Sequence, residues 1–367
     1  MKYFMLILFL TVLDTIAVSQ IKVAFVRPGR QSNIFWGKVS KVFEKAAQDL
    51  SVSYRIHIAG DYIPEKMENL IGYMKALDDA INSQPDYLIT YVVRQETIRL
   101  LERTKSTKTK VFLINAAIPE EELVHVGRPR DRFPNWLGHM HPDDEKAGYD
   151  LAKNLITIAQ QDFTGSLEMI ALSGSKESSP GYLRAEGLKQ AVKDHPNVKL
   201  KEHRYIYDWS PKRAKRTAEK LLDNTSAPKI VWTASDAMAL EVAEIAIKKS
   251  LEPNKNIFIG GVDWLDGALT GIENGKIAVS MGGHLMEAAW ALILLHDYHH
   301  GIDFADSLGT QIQSKMSPIH KDNISHLAKS FRFEQLKTID FRNLSKVYNK
   351  GLKVHITNLE DTIKQSE

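Results

Sequence analysis

The chain has 367 residues, 43% hydrophobic and 25% charged, with 48 Lys and Arg against 45 Asp and Glu for a net charge of +3. That is a globular composition, too long for one ordinary domain of about 100–200 residues and without the basic excess of a nucleic-acid surface. Cysteine is absent, which excludes disulfides, thiolate catalysis, Cys-ligated metals and a lipid anchor on an N-terminal Cys.

Lys2 precedes a mostly apolar run over residues 3–13, and Ala17-Val18-Ser19 supplies small residues for a cleavage site. This order reads as a secretory signal peptide over residues 1–19; the run is short of the roughly 20 residues a membrane-spanning helix needs. From Ile21 onward strands and helices alternate. Lys22-Val23-Ala24-Phe25-Val26 is an apolar run that breaks at Pro28-Gly29, a buried strand. Trp36, Val39, Phe43, Ala46, Ala47 and Leu50 recur at helical spacing. Residues 54–58, 87–91 and 111–115 read as strands, separated by helical stripes that carry Leu70, Ile71, Met74, Leu77 and Ile81, then Ile98, Leu100 and Leu101.

A charged, Pro-containing stretch over residues 119–134 interrupts this rhythm, which restarts at Trp136-Leu137-Gly138-His139 and a helix from Asp144. Strands over residues 167–172, 230–233 and 257–261 alternate with helices over residues 183–192 and 237–247 and one opening at Ala268. Repeated βα units imply parallel sheets with helices on both faces. The expected fold is therefore α/β: two Rossmann-like lobes. The rhythm is lost beyond Asp322, and the last segment, with Phe331, Phe333, Ile339, Phe341 and Tyr348, is too aromatic to be simply disordered. It is expected to pack on a lobe or meet a partner.

Open α/β sheets bind ligands beyond the carboxyl ends of their strands. Here those ends fall at residues 28–36, 91–94, 115–116, 173–184, 235–236 and 263–264, which combine aromatics, amides, an Arg and carboxylates. Aromatic faces stack on the C–H face of a sugar ring, while Asp, Asn and Arg hydrogen-bond vicinal hydroxyls. Each candidate also has a plainer use. Asn33 can cap a helix, Asp236 can cap the Ala237 helix and Asp263 can form a turn. Trp36 can be a core knob and Arg184 a surface residue; Trp209 and Trp264 are balanced between core and ligand. His139-Met140-His141 and His299-His300 lack an accompanying carboxylate pattern, so no metal site is expected. No G-x-G-x-x-G, G-x-x-x-x-G-K-[ST] or G-x-S-x-G motif occurs, which argues against a dinucleotide enzyme, a P-loop protein or a serine hydrolase.

At the same residues the chain resembles the type I periplasmic binding proteins, in the branch of the ribose- and galactose-binding proteins, over about residues 21–323. Asn33-Ile34-Phe35-Trp36 resembles the family's first-strand loop, Arg184-Ala185-Glu186-Gly187 its R-x-x-G helix start, and Tyr207-Asp208-Trp209-Ser210 its stacking segment. Ala234-Ser235-Asp236-Ala237-Met238-Ala239-Leu240 resembles the N-D-x-M-A-L signature, and Gly261-Val262-Asp263 the G-F-D-G element. In parts the resemblance is closer to the LuxP proteins, which bind a furanosyl borate signal: the loop Pro28-Gly29-Arg30-Gln31-Ser32-Asn33, the pair Ile114-Asn115, and Ser235-Asp236 in place of Thr-Asp. LuxP's second Arg has no counterpart in Ser280-Met281-Gly282-Gly283-His284, and Gly261-Val262-Asp263 replaces LuxP's G-W turn. An anionic borate diester wants cations and is repelled by an added carboxylate, so a neutral sugar or polyol is the expected ligand.

The resemblance implies two lobes joined by a three-strand hinge, with crossings near Gly138, Ser280 and Gln311-Ile312-Gln313. Residues 20–138 with 282–311 form lobe 1, residues 139–281 with 312–325 form lobe 2, and residues 326–367 form a tail. The expected ligand contacts are Gln31, Asn33, Phe35, Trp36, Asn115, Arg184, Trp209, Ser235, Asp236 and Asp263. The expected protein is a periplasmic, non-enzymatic, monomeric solute-binding protein with no cofactor. It touches the membrane only through a partner, an ABC sugar permease or, in the LuxP manner, a sensor kinase ectodomain.

Overall fold

The computed structural model describes residues 20–29, 33–60, 67–222, 228–325 and 332–366, so the signal-peptide expectation and Gln31 lie outside the described residues. Two six-stranded sheets form the centres of two lobes. The first holds β1 (Lys22–Arg27), β2 (Ser53–Ile58), β3 (Tyr87–Tyr91), β4 (Lys110–Ile114), β5 (Trp136–Pro142) and β11 (Gln311–Ser314), in the order β11-β5-β4-β3-β1-β2. The second holds β6 (Leu167–Ser173), β7 (Val198–Tyr205), β8 (Ile230–Thr233), β9 (Phe258–Val262), β10 (Val279–Gly282) and β12 (Ser317–His320), in the order β12-β10-β9-β8-β6-β7. All pairings are parallel except β10 with β12. The central strands β3, β8 and β9 are buried at every residue, as sheets covered on both faces require. This is the doubly wound, two-lobed α/β fold that the βα rhythm predicts.

The helices that position the cleft start where strands end. These are α1 (Ile34–Asp49), α5 (Asp144–Asp162), α6 (Ser179–Asp194), α7 (Pro211–Leu221), α8 (Asp236–Lys248) and α9 (Asp266–Glu273). The remaining helices of the first lobe are α2 (Met67–Asn82), α3 (Thr97–Lys105), α4 (Glu120–Val126) and α10 (Glu287–His299). Eleven consecutive residues of α10, from Glu287 to Asp297, are buried. A helix apolar on all sides must be enclosed, and α10 is: one side meets β3, β4 and β5, another meets α1.

Pairing also locates the lobe changes. Both β5 and β11 belong wholly to the first sheet and β10 to the second, so the chain changes lobe at Asp143, Gly283 and Lys315-Met316. These points lie a few residues beyond the sequence-based positions near Gly138, Ser280 and Gln311-Ile312-Gln313. A strand continues while its backbone groups find partners in the sheet, and apolar patterning does not mark where that pairing stops.

After a short helix α11 (Ala305–Leu308), the C-terminal segment resumes at Arg332 with α12 (Phe333–Leu336), a 3₁₀ turn (Phe341–Leu344) and α13 (Leu359–Ser366). It joins both lobes. Arg332 bonds Glu273 at 2.6 Å and Thr270 at 3.1 Å on α9. Beyond it, Lys45 of α1 donates to Ile339 O at 2.9 Å, and Phe341 N donates to Asp49 at 3.0 Å. Leu336, Ile339, Phe341, Leu344 and Leu359 are buried, and Trp290 of α10 donates to Thr362 at 3.0 Å. The anchor is Asp297, which accepts from Ser345 Oγ at 2.5 Å, Lys346 N at 2.6 Å and His355 Nε2 at 3.1 Å. Burial opposes its ionisation, but these bonds and His296 win and hold its carboxyl well below the usual range.

Phe341→Ala is therefore expected to cost about 3–5 kcal/mol, the range for deleting a buried Phe side chain. Val354→Ala, half-exposed in the same segment, should stay within about 0.5 kcal/mol. Urea unfolding of the two variants checks this; equal small effects would mean that the tail adds nothing to the core.

Candidate functional site

A cavity of about 320 Å³ lies between the lobes, at the carboxyl ends of both sheets. That is the small end of ligand pockets, roughly 300–1,000 Å³, and suits one ring better than a chain of them. Lobe 1 contributes Asn33, Phe35 and Trp36 from the start of α1, Tyr91 from β3 and Asn115 after β4. Lobe 2 contributes Arg184 from α6, Trp209 before α7, Ser235 before α8 and Asp263 after β9; His284 lies just past the second crossing. The lobes also meet directly. Lys38 of α1 bonds Asp266 at 2.8 Å and Trp264 O at 3.0 Å, Ser179 donates to Ala117 O at 2.6 Å, and Arg94 lies 3.5 Å from Glu177.

The polar floor is built around Arg184, only 3% exposed. Its Nε donates to Asp144 Oδ1 at 2.7 Å and its Nη1 to Ala234 O at 2.8 Å. Asp263 Oδ1 lies 3.8 Å from the same Nη1. Burial raises the Asp263 pKa, while Arg184 and Lys38 pull it back. His284 Nε2 stands 3.5 Å from Asp263 Oδ1, and burial pushes the imidazole pKa down to about 3, so the ring is neutral.

The aromatic walls face each other across the lobes. Trp36 meets Phe35 edge-on at 5.4 Å and Tyr91 at 5.9 Å, and Phe35 stacks on His284 at 5.0 Å. Trp209 lies against Gly174, where a Cβ would come within 2.2 Å of the indole; only glycine lets that ring approach the strand end. The Arg184 guanidinium sits 5.9 Å from the Trp209 ring. Asn115, Trp209, Asp263 and Trp264 all have positive φ, of 72°, 55°, 124° and 52°. Residues held in such conformations cluster where a ligand must be gripped.

Eight of the expected contacts line this cavity: Asn33, Phe35, Trp36, Asn115, Arg184, Trp209, Ser235 and Asp263. Two of them double as caps, Asn33 accepting from Trp36 N at 2.9 Å and Ser235 from Met238 N at 3.4 Å. Asp236 stands apart. Fully buried behind the floor, it accepts from Leu265 N at 2.9 Å and Ser280 Oγ at 2.8 Å. It holds the loop that presents Asp263, and burial, then the Asp263 charge, raises its pKa. Trp264 is also core: its Nε1 donates to Ser280 O at 3.0 Å, and its ring fills the space a Cβ on Gly282 would take.

Neither His284 nor Asp208 is among the ligand contacts expected from the sequence, although both line the cavity. His284 follows the carboxyl end of β10 and Asp208 that of β7, two of the strand ends outside the list of ligand-facing ends. The His139–His141 pair is structural. His139 Nε2 meets Ala116 O at 2.9 Å, and burial takes its pKa down to about 3. Among the described residues no group of three or more His, Asp or Glu side chains could hold a metal ion.

The comparisons with known proteins agree with this geometry. The model of the periplasmic binding protein domain matches residues 23–298, and the chain belongs to that family, with the type I fold. A periplasmic sugar-binding protein from Pseudomonas fluorescens is 27% identical, with a TM-score of 0.80 over 93% of this chain and 99% of that one. The arabinose-transporter binding protein of Shewanella sp. ANA-3, solved with L-arabinofuranose, shares the fold at 19% identity and a TM-score of 0.70, over 86% of this chain and 95% of that one. These neighbours are solute-binding proteins rather than enzymes. The HTH-type transcriptional regulator DegA of Bacillus subtilis is 23% identical over 237 residues, 63% of this chain and 61% of the regulator.

Glu287, at the second crossing, gives a pH prediction. Its carboxyl accepts from Asn115 N at 2.7 Å and Ser314 Oγ at 2.5 Å, and burial pushes its pKa up to about 8. The unfolded value is about 4.3, so the folded chain holds this proton more tightly, and the stability it contributes at low pH is lost as pH rises through about 8. His139 and His284, whose pKa values burial lowers, act well below this window, and Asp236 and Asp263, whose pKa values burial raises, are present in both variants and cancel in the comparison. Between pH 6.5 and 8.5 the Tm should fall more steeply for the wild type than for Glu287→Gln; parallel curves by calorimetry would contradict the assignment.

Proposed function

We propose that this protein is an exported, periplasmic component of an ABC sugar transporter, which closes on a neutral sugar or polyol and presents it to a membrane permease. The observation that carries this reading is the cavity itself. Aromatic surfaces from both lobes, Trp36 and Trp209, flank a floor of Arg184 and Asp263, the combination that takes up both the C–H face and the hydroxyl edge of a sugar ring. The ligand touches both lobes, so it stabilises the closed state by its differential affinity for that state.

Closure then produces a joint surface of both lobes for a permease to read. The aromatic tail, which as an exposed surface would have suited a sensor kinase ectodomain, uses Phe341 and Ile339 within the chain, against α1. The permease reading is therefore the one adopted, with the protein acting as a monomer. In the matching structures the bound ligands include L-arabinofuranose and D-allose, which makes pentoses and hexoses the first to try.

A ligand that binds only the folded chain raises its Tm by mass action. In a thermal-shift screen with L-arabinose, D-ribose, D-galactose and D-allose, at least one sugar should raise the Tm of the wild type. Asp263→Asn and Trp209→Ala should each remove that rise while keeping an unliganded cooperative transition. A rise that survives in both variants would refute the assignment of the cavity.

A further inference from the structure

The C-terminal segment is held very differently at its two ends. On lobe 1 it belongs to the core. Leu336, Ile339, Phe341 and Leu344 are buried, Asp297 of α10 accepts from Ser345 and Lys346, and Lys45 and Asp49 of α1 bond the backbone of Ile339 and Phe341. On lobe 2 its start is clasped by α9. Arg332 bonds Glu273 at 2.6 Å and Thr270 at 3.1 Å, and Phe333 N donates to Asp266 at 3.3 Å. The Arg332 and Glu273 side chains are 32% and 43% exposed. Water competes for an ion pair so placed, and its bond is readily exchanged. Buried Phe and Leu side chains leave a core only at a large loss. The lobe 2 end is therefore the one that lets go.

Asp266 couples this clasp to the seam between the lobes. It is the first residue of α9, and its Oδ1 accepts from Lys38 Nζ of α1 at 2.8 Å and from Phe333 N at 3.3 Å. The Phe333 ring lies 4.9 Å from Lys41 Nζ, one turn further along α1. One carboxylate of lobe 2 thus holds an ammonium of lobe 1 and an amide of the tail side by side. A rotation that parts Lys38 from Asp266 also carries Thr270 and Glu273, on the same short helix, away from α1. The tail, fixed to lobe 1, stays behind. The seam bond and the clasp therefore form and break together.

We propose that the C-terminal segment is a strap across the seam between α1 and α9: fixed to lobe 1, it grips lobe 2 through Arg332 and Phe333 and favours the closed arrangement before any ligand binds. The proposal rests on the closure of the lobes in the reading above and adds the device that sets the resting balance between open and closed states. A chain already biased toward closure leaves less for a ligand to supply. The strap therefore tightens binding without touching the ligand.

The test is energy transfer in single molecules of the full chain, without ligand, between dyes on Val124→Cys of lobe 1 and Lys212→Cys of lobe 2. Arg332→Glu sets two carboxylates against each other in the clasp and should raise the ratio of open to closed molecules more than about twofold. Glu273→Arg should do the same. The double exchange, Arg332→Glu with Glu273→Arg, should bring the ratio back toward the wild type, which local damage from either change would not do. Single exchanges that stay within about twofold of the wild type, or a double exchange no nearer to it than the single ones, overturn the strap. Should either exchange fail to fold, Arg332→Ala decides by the same threshold. The wild type measured with L-arabinose, D-ribose, D-galactose and D-allose tests the sugar reading separately. A sugar that moves it to the closed population upholds that reading even where the exchanges do nothing. If the exchanges act and no sugar does, the strap stands and the sugar reading fails.

Discussion

Everything at the cleft depends on one buried cation. Arg184 is almost wholly enclosed, and a charge removed from water must be paired and hydrogen-bonded. Its partners come from three places: Asp144, one residue past the first crossing; the carbonyl of Ala234, after β8; and Asp263, after β9. The guanidinium thereby fixes how α6, α5 and two strand ends meet. Removing one partner of such a buried pair costs about 3–5 kcal/mol, so Arg184 is a structural tie as well as part of the cavity lining. Behind it, Asp236 and Ser280 set the Asp263 loop in a backbone conformation that non-glycine residues rarely adopt.

The contacts that hold the lobes together are few by comparison. Lys38 with Asp266, Ser179 with Ala117 and Arg94 with Glu177 span the seam. Partly exposed ion pairs contribute about 0–1 kcal/mol each, which leaves room for a ligand to decide between open and closed states. The three crossings stay connected through polar groups. Glu287, past the second, holds Ser314 at the third, and the Ser314 carbonyl takes the Asp143 N–H at the first. The tail runs from α9 of lobe 2 to α1 of lobe 1, so it is a further link between the lobes.

Much of this was legible in the residues. Apolar runs broken by Gly and Pro, alternating with helical stripes, implied two parallel sheets, and the rule that ligands sit at strand ends led to eight residues that line the cavity. What escaped followed from long-range geometry. Asp236 and Asp263 are both acids at strand ends; only three-dimensional packing sends one into the loop support and the other into the cavity. Trp264 and Trp209 differ in the same way, one packed on Gly282 and the other on Gly174. His284 was passed over because the segment after β10 was read only for a second Arg. The destination of the tail depended on Asp297, a buried acid near the end of a mostly apolar helix that meets its partners only after the chain has returned to lobe 1.

The central claim is that two lobes close on a sugar held at their seam, and the absence of cysteine makes it directly measurable. Val124→Cys on α4 of lobe 1 and Lys212→Cys on α7 of lobe 2 replace exposed residues and allow donor and acceptor dyes to be attached to opposite lobes. A saturating sugar that raises the Tm should shift the energy transfer to a single high-efficiency, closed population. Transfer that stays unchanged at saturation would contradict closure as the mechanism.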